Sequence, residues 1–437
     1  MHDWDRAFYA LLASDRLLQG YFNHPPAVIW STKLAFIMFG ETELATRFVP
    51  LVFSIASLVL IFKLTQDVYG EVEAILATFF LAASPLAIYY SRQFGHYEFF
   101  ILASIYCFYK WGGKGYLYLV GSCASLFIGL LFDYPILIAM LPILYLAYRN
   151  RDMKGALATI STNLIVVASW FLYLTIANKL EEVILAGKGF SMFFLENIII
   201  WLKTQFVRAF YEVPFTIPLL SSIWFIVRLF KNRMSRDKML IIWILASVAY
   251  LVLLSEHSYE LNWTLVPLII PLSISSGIAM EWIFGLKIKK VRIRSLGAIL
   301  ILLTLAMSIK TSVFYSQIND ISSYQSGLYI KEHTEKGDVI VASTPTELWY
   351  SERRGYICWE RGILTANELD MIIKKEHPVF VSIRLGTLMD NSYSRQVLMA
   401  NNYSIVKIFW GRAYDWSNAL WARPAMLNAS FTESSRL

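Results

Sequence analysis

Long runs of apolar residues recur along most of this 437-residue chain, and they constrain its fold more than any other feature. A membrane-spanning helix needs about 20 apolar residues, so the shorter runs extend into their flanks or cross where the protein is locally thin. Only 16% of the residues are charged and 57% are hydrophobic, which excludes a soluble enzyme, a disordered chain and a nucleic-acid-binding protein. We therefore predict a mainly α, polytopic transmembrane helical bundle. Its ten predicted spans lie near residues 47–64, 74–90, 98–110, 116–131, 135–148, 156–177, 214–230, 239–255, 262–284 and 295–314.

The net charge of +7 reports topology rather than an anionic partner. Basic residues gather in four short loops, near residues 110–114, 149–154, 231–238 and 287–294. Loops of this kind are retained on the cytoplasmic side of the membrane. The acidic turn of Asp67, Glu71 and Glu73 gives this scheme no support. With the basic loops inside, the predicted outer segments are residues 1–46, 91–97, 131–135, 178–213, 256–261 and everything after 314.

The chain divides into three predicted regions. Residues 1–46 form a first outer loop with interfacial helices, because residues 6–24 have an amphipathic pattern and Pro25-Pro26 then break the backbone. Residues 47–314 form the membrane domain, with another interfacial helix expected in the half-apolar segment 178–213. Residues 315–437 form a small extracytoplasmic α/β domain. Its predicted strands lie at 339–341, 379–381 and 405–410, and its predicted helices at 346–353, 365–376 and 392–401.

Acidic residues and a histidine cluster in two of the predicted outer segments. Asp3 and Asp5 precede the amphipathic segment, and His96 and Glu98 lie in the short turn between two apolar runs. Carboxylates at one interface can supply a general base, and Asp5, His96 and Glu98 together offer ligand types for a divalent cation such as Mg²⁺ or Mn²⁺. Solvated acids at a membrane border would produce the same pattern.

Six short motifs in the N-terminal part give a more specific signal. In order and spacing they resemble the membrane glycosyltransferases that use polyprenyl-phosphate sugars. Within this C-type (GT-C) superfamily the resemblance is to the protein O-mannosyltransferase and aminoarabinose transferase branch. The motifs are Asp5 to Tyr9, His24-Pro25-Pro26, Phe39-Gly40, Arg47-Phe48-Val49-Pro50, Ser84-Pro85, and Tyr89-Tyr90-Ser91-Arg92 followed by Tyr97.

The resemblance implies a catalytic aspartate at Asp5 and a second acidic residue at Glu98. The family usually has Asp-Glu at the first site, whereas this chain has Asp5-Arg6, so a partner role for Asp3 and the absence of a partner both stay open. The resemblance also implies a transmembrane helix ahead of the first outer loop. The sequence as given has none there, and we expect a start assigned too late rather than a branch that lacks this helix.

The implied reaction is transfer of a sugar from a polyprenyl-phosphate donor to a hydroxyl of a protein, lipid or glycan. It would take place on the extracytoplasmic face of the cell (plasma or inner) membrane. Asp5 would take the acceptor proton, and direct displacement would invert the anomeric centre. The leaving lipid phosphate needs positive charge, for which Arg92, Lys33 and His257 are candidates. Substrate contacts are expected from a wider set of residues: Asp3, His24, Arg92, His96, Tyr97 and His257. We expect Asp5 and Glu98 to face a common cavity.

Two other classes of function fit a polytopic chain. A transporter or lipid-linked glycan flippase usually has ionisable residues within its spans and a repeated half, and neither feature is evident in this sequence. A non-catalytic membrane scaffold would have no need of the acidic clusters at the outer segments. The sequence therefore favours the glycosyltransferase.

Overall fold

The computed structural model describes residues 4–18, 26–91, 96–112, 115–176, 198–230, 234–255, 258, 262–288, 291–292, 294–317, 321–358, 366–385, 392–411 and 417–423. Within these ranges the chain forms two compact units. One unit, here called the N/C unit, combines Met1–Tyr21, Val28–Thr46 and Gln317–Leu437. The other, the membrane unit, contains Phe22–Ala27 and Arg47–Ser316.

The membrane unit is helical, apart from a short hairpin of β1 (Lys287–Ile288) and β2 (Val291–Arg292). A helix or a pair of consecutive helices occupies each of the ten predicted apolar runs. The helices are α3 (Glu43–Val68), α4 (Glu71–Ala82), α5 (Pro85–Tyr90), α6 (His96–Trp111), α7 (Tyr116–Phe132), α8 (Met140–Arg149), α9 (Met153–Ile176), α10 (Ile198–Tyr211), α11 (Thr216–Phe230), α12 (Met234–Leu253), α13 (Val266–Gly285) and α14 (Arg294–Gln317). Turns of 3-10 helix at Tyr134–Ala139 and Asn262–Leu265 precede α8 and α13.

Four of the described helices are long and apolar enough to cross a membrane: Glu43–Val68, Met153–Ile176, Val266–Gly285 and Ser295–Val313. The first, second and fourth expose most of their apolar side chains, as lipid-facing helices do, whereas α13 is buried along most of its length. Helix α13 packs against α4, α11 and α12 and so forms the centre of this unit. The protein is a multi-pass membrane protein, and the total of ten spans stays a prediction.

The N/C unit contains the predicted α/β domain. Its helices are α15 (Ile321–Glu332), α16 (Pro345–Ser351), α17 (Ala366–Glu376) and α18 (Ser392–Ala400). Its strands are β3 (Val339–Ala342), β4 (Arg354–Ile357), β5 (Phe380–Arg384), β6 (Ser404–Phe409) and β7 (Asn418–Ala422). They form one mixed sheet in the order β4-β3-β5-β7-β6, with β3 parallel to both of its neighbours. Apolar residues of β3, β5, β7, α17 and α18 form the core.

The N-terminal segment also belongs to this unit, and its structure differs from the prediction. A helix was predicted over residues 6–24, but α1 runs only from Trp4 to Ala13, and residues 14–18 leave the helix. The second apolar segment forms α2 (Ala27–Phe39). Most described side chains of α1 are buried, and the helix packs against α16. Its amphipathic pattern, which predicted a helix on the membrane surface, therefore belongs to a helix packed against protein. The region between α9 and α10 lies outside the described residues.

Candidate active site

Glu98 lies at the start of α6 and is buried, with 3% of its surface exposed. Its Oε1 atom has no hydrogen-bond partner among the described residues. A buried carboxylate without a partner is costly, so this atom is suited to receive a proton or a cation. The adjacent Tyr97 is equally buried and interacts electrostatically with Glu98.

Asp133 is a second buried acid in the same unit, and it follows the last residue of α7. The Tyr97 phenol interacts electrostatically with Asp133, with Tyr90 of α5 and with Tyr250 of α12. Asp133 also caps the next turn, because its Oδ1 accepts a hydrogen bond of 2.8 Å from the Tyr134 N–H. Four helices thus bring two carboxyl groups and three tyrosines together. We call Tyr90, Tyr97, Glu98, Asp133 and Tyr250 the Glu98 cluster.

A close approach of α6 and α7 positions the Glu98 cluster. A Cβ atom added at Gly129 would lie 2.8 Å from both Phe100 Cβ and Ile136 Cγ1. Only glycine therefore lets the end of α7 approach the first turns of α6. Trp170 Nε1 donates a 2.8 Å hydrogen bond to the hydroxyl of Tyr134, the residue after Asp133, and ties this turn to α9. The chain around Asp133 is therefore held by the close contact at Gly129 and by the Trp170–Tyr134 hydrogen bond.

Another helix of the membrane unit, α10, carries a basic residue, Arg208, that is bound to Ser258. Three side chains of α10 bind Ser258: Trp201 Nε1 donates to its hydroxyl at 2.7 Å, and Gln205 and Arg208 donate to its carbonyl oxygen. Arg208 also pairs with Glu212 at 3.8 Å. Ser258 follows His257 in the chain, and His257 itself lies outside the described residues.

The predicted site residues fall into three groups. Tyr97 and Glu98 are brought together with Asp133. Asp5 lies in the first turn of α1 in the N/C unit, and His96 is the first residue of α6; the side chains of both lie outside the described part of the structure. Asp3, His24, Arg92 and His257 also lie outside the described residues. Lys33 is exposed and forms an ion pair of 3.2 Å with Asp15.

The sequence reasoning missed Asp133 and Arg208. Asp133 is the acidic residue of the predicted outer segment 131–135, and this signal could have identified it. Arg208 could have been noticed as a basic residue within the predicted outer segment 178–213. Among the described residues, no group of three His, Cys, Asp or Glu side chains could hold a metal ion. The predicted set of Asp5, His96 and Glu98 includes two side chains outside that description.

Comparisons with known proteins agree with the resemblance seen in the motifs. The sequence profile of the dolichyl-phosphate-mannose-protein mannosyltransferase family matches residues 23–168. No protein with a curated description matches the sequence. The fold is similar to the crystal structure of ArnT from Cupriavidus metallidurans in the apo state, with a TM-score of 0.62 and 13% identity over 96% of this chain and 93% of that chain.

The same fold is found in ArnT from Cupriavidus metallidurans bound to undecaprenyl phosphate. There the TM-score is 0.64 with 13% identity, over 98% of this chain and 94% of that chain. At this identity the likeness concerns the fold alone, but it extends over both units, whereas the family profile matches only the N-terminal third. Taken together, the family match over residues 23–168 and the fold shared over both units support the assignment of this protein to the C-type (GT-C) membrane glycosyltransferase superfamily.

Proposed function

We propose that the protein transfers a sugar from a polyprenyl-phosphate donor to a hydroxyl acceptor on the extracytoplasmic side of the cell membrane. The observation that carries this proposal is the fold shared over nearly the whole chain with a protein solved with undecaprenyl phosphate bound. The family match over residues 23–168 supports the same donor class. The acceptor is a protein, a lipid or a glycan.

In the proposed reaction the acceptor oxygen attacks the anomeric carbon as the bond from that carbon to the phosphate oxygen breaks. The acceptor proton passes to the Asp5 carboxylate, and polyprenyl phosphate leaves with the bonding electrons. This phosphate is already anionic at neutral pH, so it requires charge stabilisation rather than a general acid. Attack opposite the leaving group inverts the configuration of the anomeric centre.

The membrane unit supplies groups that suit the other parts of this reaction. Arg208 is largely buried and held by Ser258, so it is a preorganised cation for a phosphate, together with Arg92 and His257 from the sequence prediction. Glu98 Oε1, which has no partner among the described residues, could supply one hard oxygen ligand of a divalent cation, with Asp5 and His96 of the sequence prediction as further ligands. A bound Mg²⁺ or Mn²⁺ would offset the negative charge of the leaving phosphate.

A transfer assay in native membranes tests the function. Labelled polyprenyl-phosphate sugars are supplied one at a time, and the labelled product is identified. Asp5→Asn keeps the size of the side chain but removes its capacity to accept a proton, so transfer should fall by roughly 10²-fold or more while the donor still binds. Asp15→Asn is the matched control, because Asp15 is exposed and pairs only weakly with Lys33.

Full activity of the Asp5 variant would remove Asp5 as the base. A loss confined to Asp3→Asn would move the base two residues earlier and keep the transferase. If the protein moved the lipid-linked sugar across the bilayer without forming a glycosylated product, the flippase would replace the transferase. A non-catalytic scaffold would neither form a glycosylated product nor move the lipid-linked sugar across the bilayer.

A further inference from the structure

Helix α1, which carries Asp5, is held by the α/β domain of the N/C unit. Ala10 and Leu11 are fully buried and Phe8 is nearly so, and the helix packs against α16. A helix of ten residues is marginal in water on its own, so its formation depends on such contacts. The position of the first turn of α1 is therefore set by α16.

The residues after α1 extend the contact to the sheet. Leu17 forms a parallel bridge with Gly355 of the edge strand β4. The Leu18 N–H donates to the Gly355 carbonyl at 2.9 Å, and the Gly355 N–H donates to the Arg16 carbonyl at 3.0 Å. The segment after α1 thus adds a short strand-like piece to the open edge of the domain. Exposed edges are commonly covered in this manner.

Trp349 of α16 contacts both the segment that follows α1 and helix α2. The Arg16 guanidinium lies 4.3 Å from the centre of the Trp349 ring, and the Phe36 ring of α2 stacks on Trp349 at 6.0 Å. Arg16 also donates to the Trp349 carbonyl at 3.4 Å and pairs with Glu41 at 3.6 Å. Desolvation makes a partly buried cation–π contact stronger than an exposed one.

From these contacts we infer that the α/β domain acts as a positioning element for the proposed base, with Trp349 and Arg16 as positioning residues. Asp5 lies two residues before the buried part of α1, so the docking of α1 fixes the Asp5 backbone. The inference rests on the proposed role of Asp5 in sugar transfer. Neither Trp349 nor Arg16 is assigned a contact with substrate.

Hydrogen exchange of the full-length protein in lipid nanodiscs measures the docking independently of activity. In the wild type, the α1 amides should exchange slowly. Trp349→Ala and Arg16→Ala should each speed their exchange by about tenfold or more, with β5 amides unchanged. Two exposed residues of the same domain give matched controls: Trp410→Ala and Lys374→Ala should leave α1 protected.

Transfer kinetics on the same variants test the positioning role. Loss of docking should lower kcat by about tenfold with little change in KM for the donor, because the base is misplaced while donor binding is intact. Trp349→Phe keeps an aromatic ring and should restore most of the kcat. Arg16→Ala alters the N-terminal side of the contact, so it remains informative if Trp349→Ala does not fold.

Rapid exchange of α1 in the wild type would overturn the docking. Free exchange of α1 in the variants together with a normal kcat would overturn the positioning role. If slow exchange were found but the wild type transferred no sugar from any polyprenyl-phosphate donor, the proposed function would fail and the positioning role would fall with it, while the docking itself would stand.

Discussion

At the scale of single residues, Glu98 and Asp133 show how one unit accommodates two buried acids. Asp133 has its charge partly compensated by the Tyr134 N–H, whereas Glu98 Oε1 finds no partner among the described residues. An acceptor atom left without a partner in a packed protein usually has a ligand, a proton or a water that satisfies it. Glu98 is therefore the member of the cluster with the clearest capacity for a ligand.

We expect Glu98→Gln to slow transfer chiefly by raising the KM for the donor, by roughly tenfold, since the amide keeps the volume but cannot supply the negative charge that binds a cation. Excess donor or added Mn²⁺ should restore part of the rate. Steady-state kinetics over a range of donor and metal concentrations measures both effects. A fall in kcat at unchanged KM would instead assign Glu98 to the chemical step.

The charge of Asp133 can be separated from its capping role. Asn is as good a cap as Asp, so Asp133→Asn keeps the cap and removes the charge, whereas Asp133→Ala loses both at a cost of about 1 kcal/mol. An effect on transfer that is shared by both variants would therefore come from the charge. Comparing the two variants shows whether the second carboxyl group of the Glu98 cluster affects transfer through its charge.

At the scale of helices and strands, the sequence predicts the helices that local apolar patterns determine and misses strands that form only by pairing with a neighbour. The apolar runs predict the helices of the membrane unit, and the break at Ser84-Pro85 explains why the run at 74–90 forms two helices. Strands β4 and β7 were not predicted, because Arg354–Ile357 contains a glycine and a charge and Asn418–Ala422 has no β-branched residue. Their partners β3 and β5 stabilise them.

In the candidate site, too, some residues are predicted by local motifs and others are placed only by tertiary packing. Asp5 and Glu98 were reached through motifs that can be read along the chain. Asp133 interacts with Tyr97, the neighbour of Glu98, where α6 and α7 approach closely at Gly129, and such packing has no local signature in the sequence. The docking of α1 on α16 brings together residues more than 300 positions apart, so the periodicity of residues 6–24 could indicate an apolar face but not what covers it.

Helix packing in the membrane unit depends on Gly277. A Cβ atom there would lie 2.7 Å from Ala77 N and 2.8 Å from Glu73 O, both backbone atoms of α4 that cannot move aside cheaply. Gly277→Ala should therefore lower the free energy of unfolding by about 1–3 kcal/mol. Thermal unfolding in detergent measures this. Gly285→Ala, at the end of the same helix with open space around its Cβ, should change stability little.

At the scale of the whole molecule, the distribution of charge predicts the orientation in the membrane. Basic residues gather in the loops near 110–114, 149–154, 231–238 and 287–294, and both the first segment and the α/β domain lie on the opposite side in this scheme. The Glu98 cluster would then lie toward the extracytoplasmic side. Topology is thus a premise of the proposed function and can be measured without any substrate.

Labelling of single introduced cysteines in intact cells with a membrane-impermeant thiol reagent tests this orientation. Met399→Cys, on an exposed face of α18, should react from outside, whereas Asn150→Cys in a predicted inner loop should react only after permeabilisation. The native Cys358 should give no background, because burial raises the pKa of its thiol to about 12 and leaves very little thiolate at pH 8. Labelling of Asn150→Cys in intact cells together with protection of Met399→Cys would reverse the topology and place the proposed site on the cytoplasmic side.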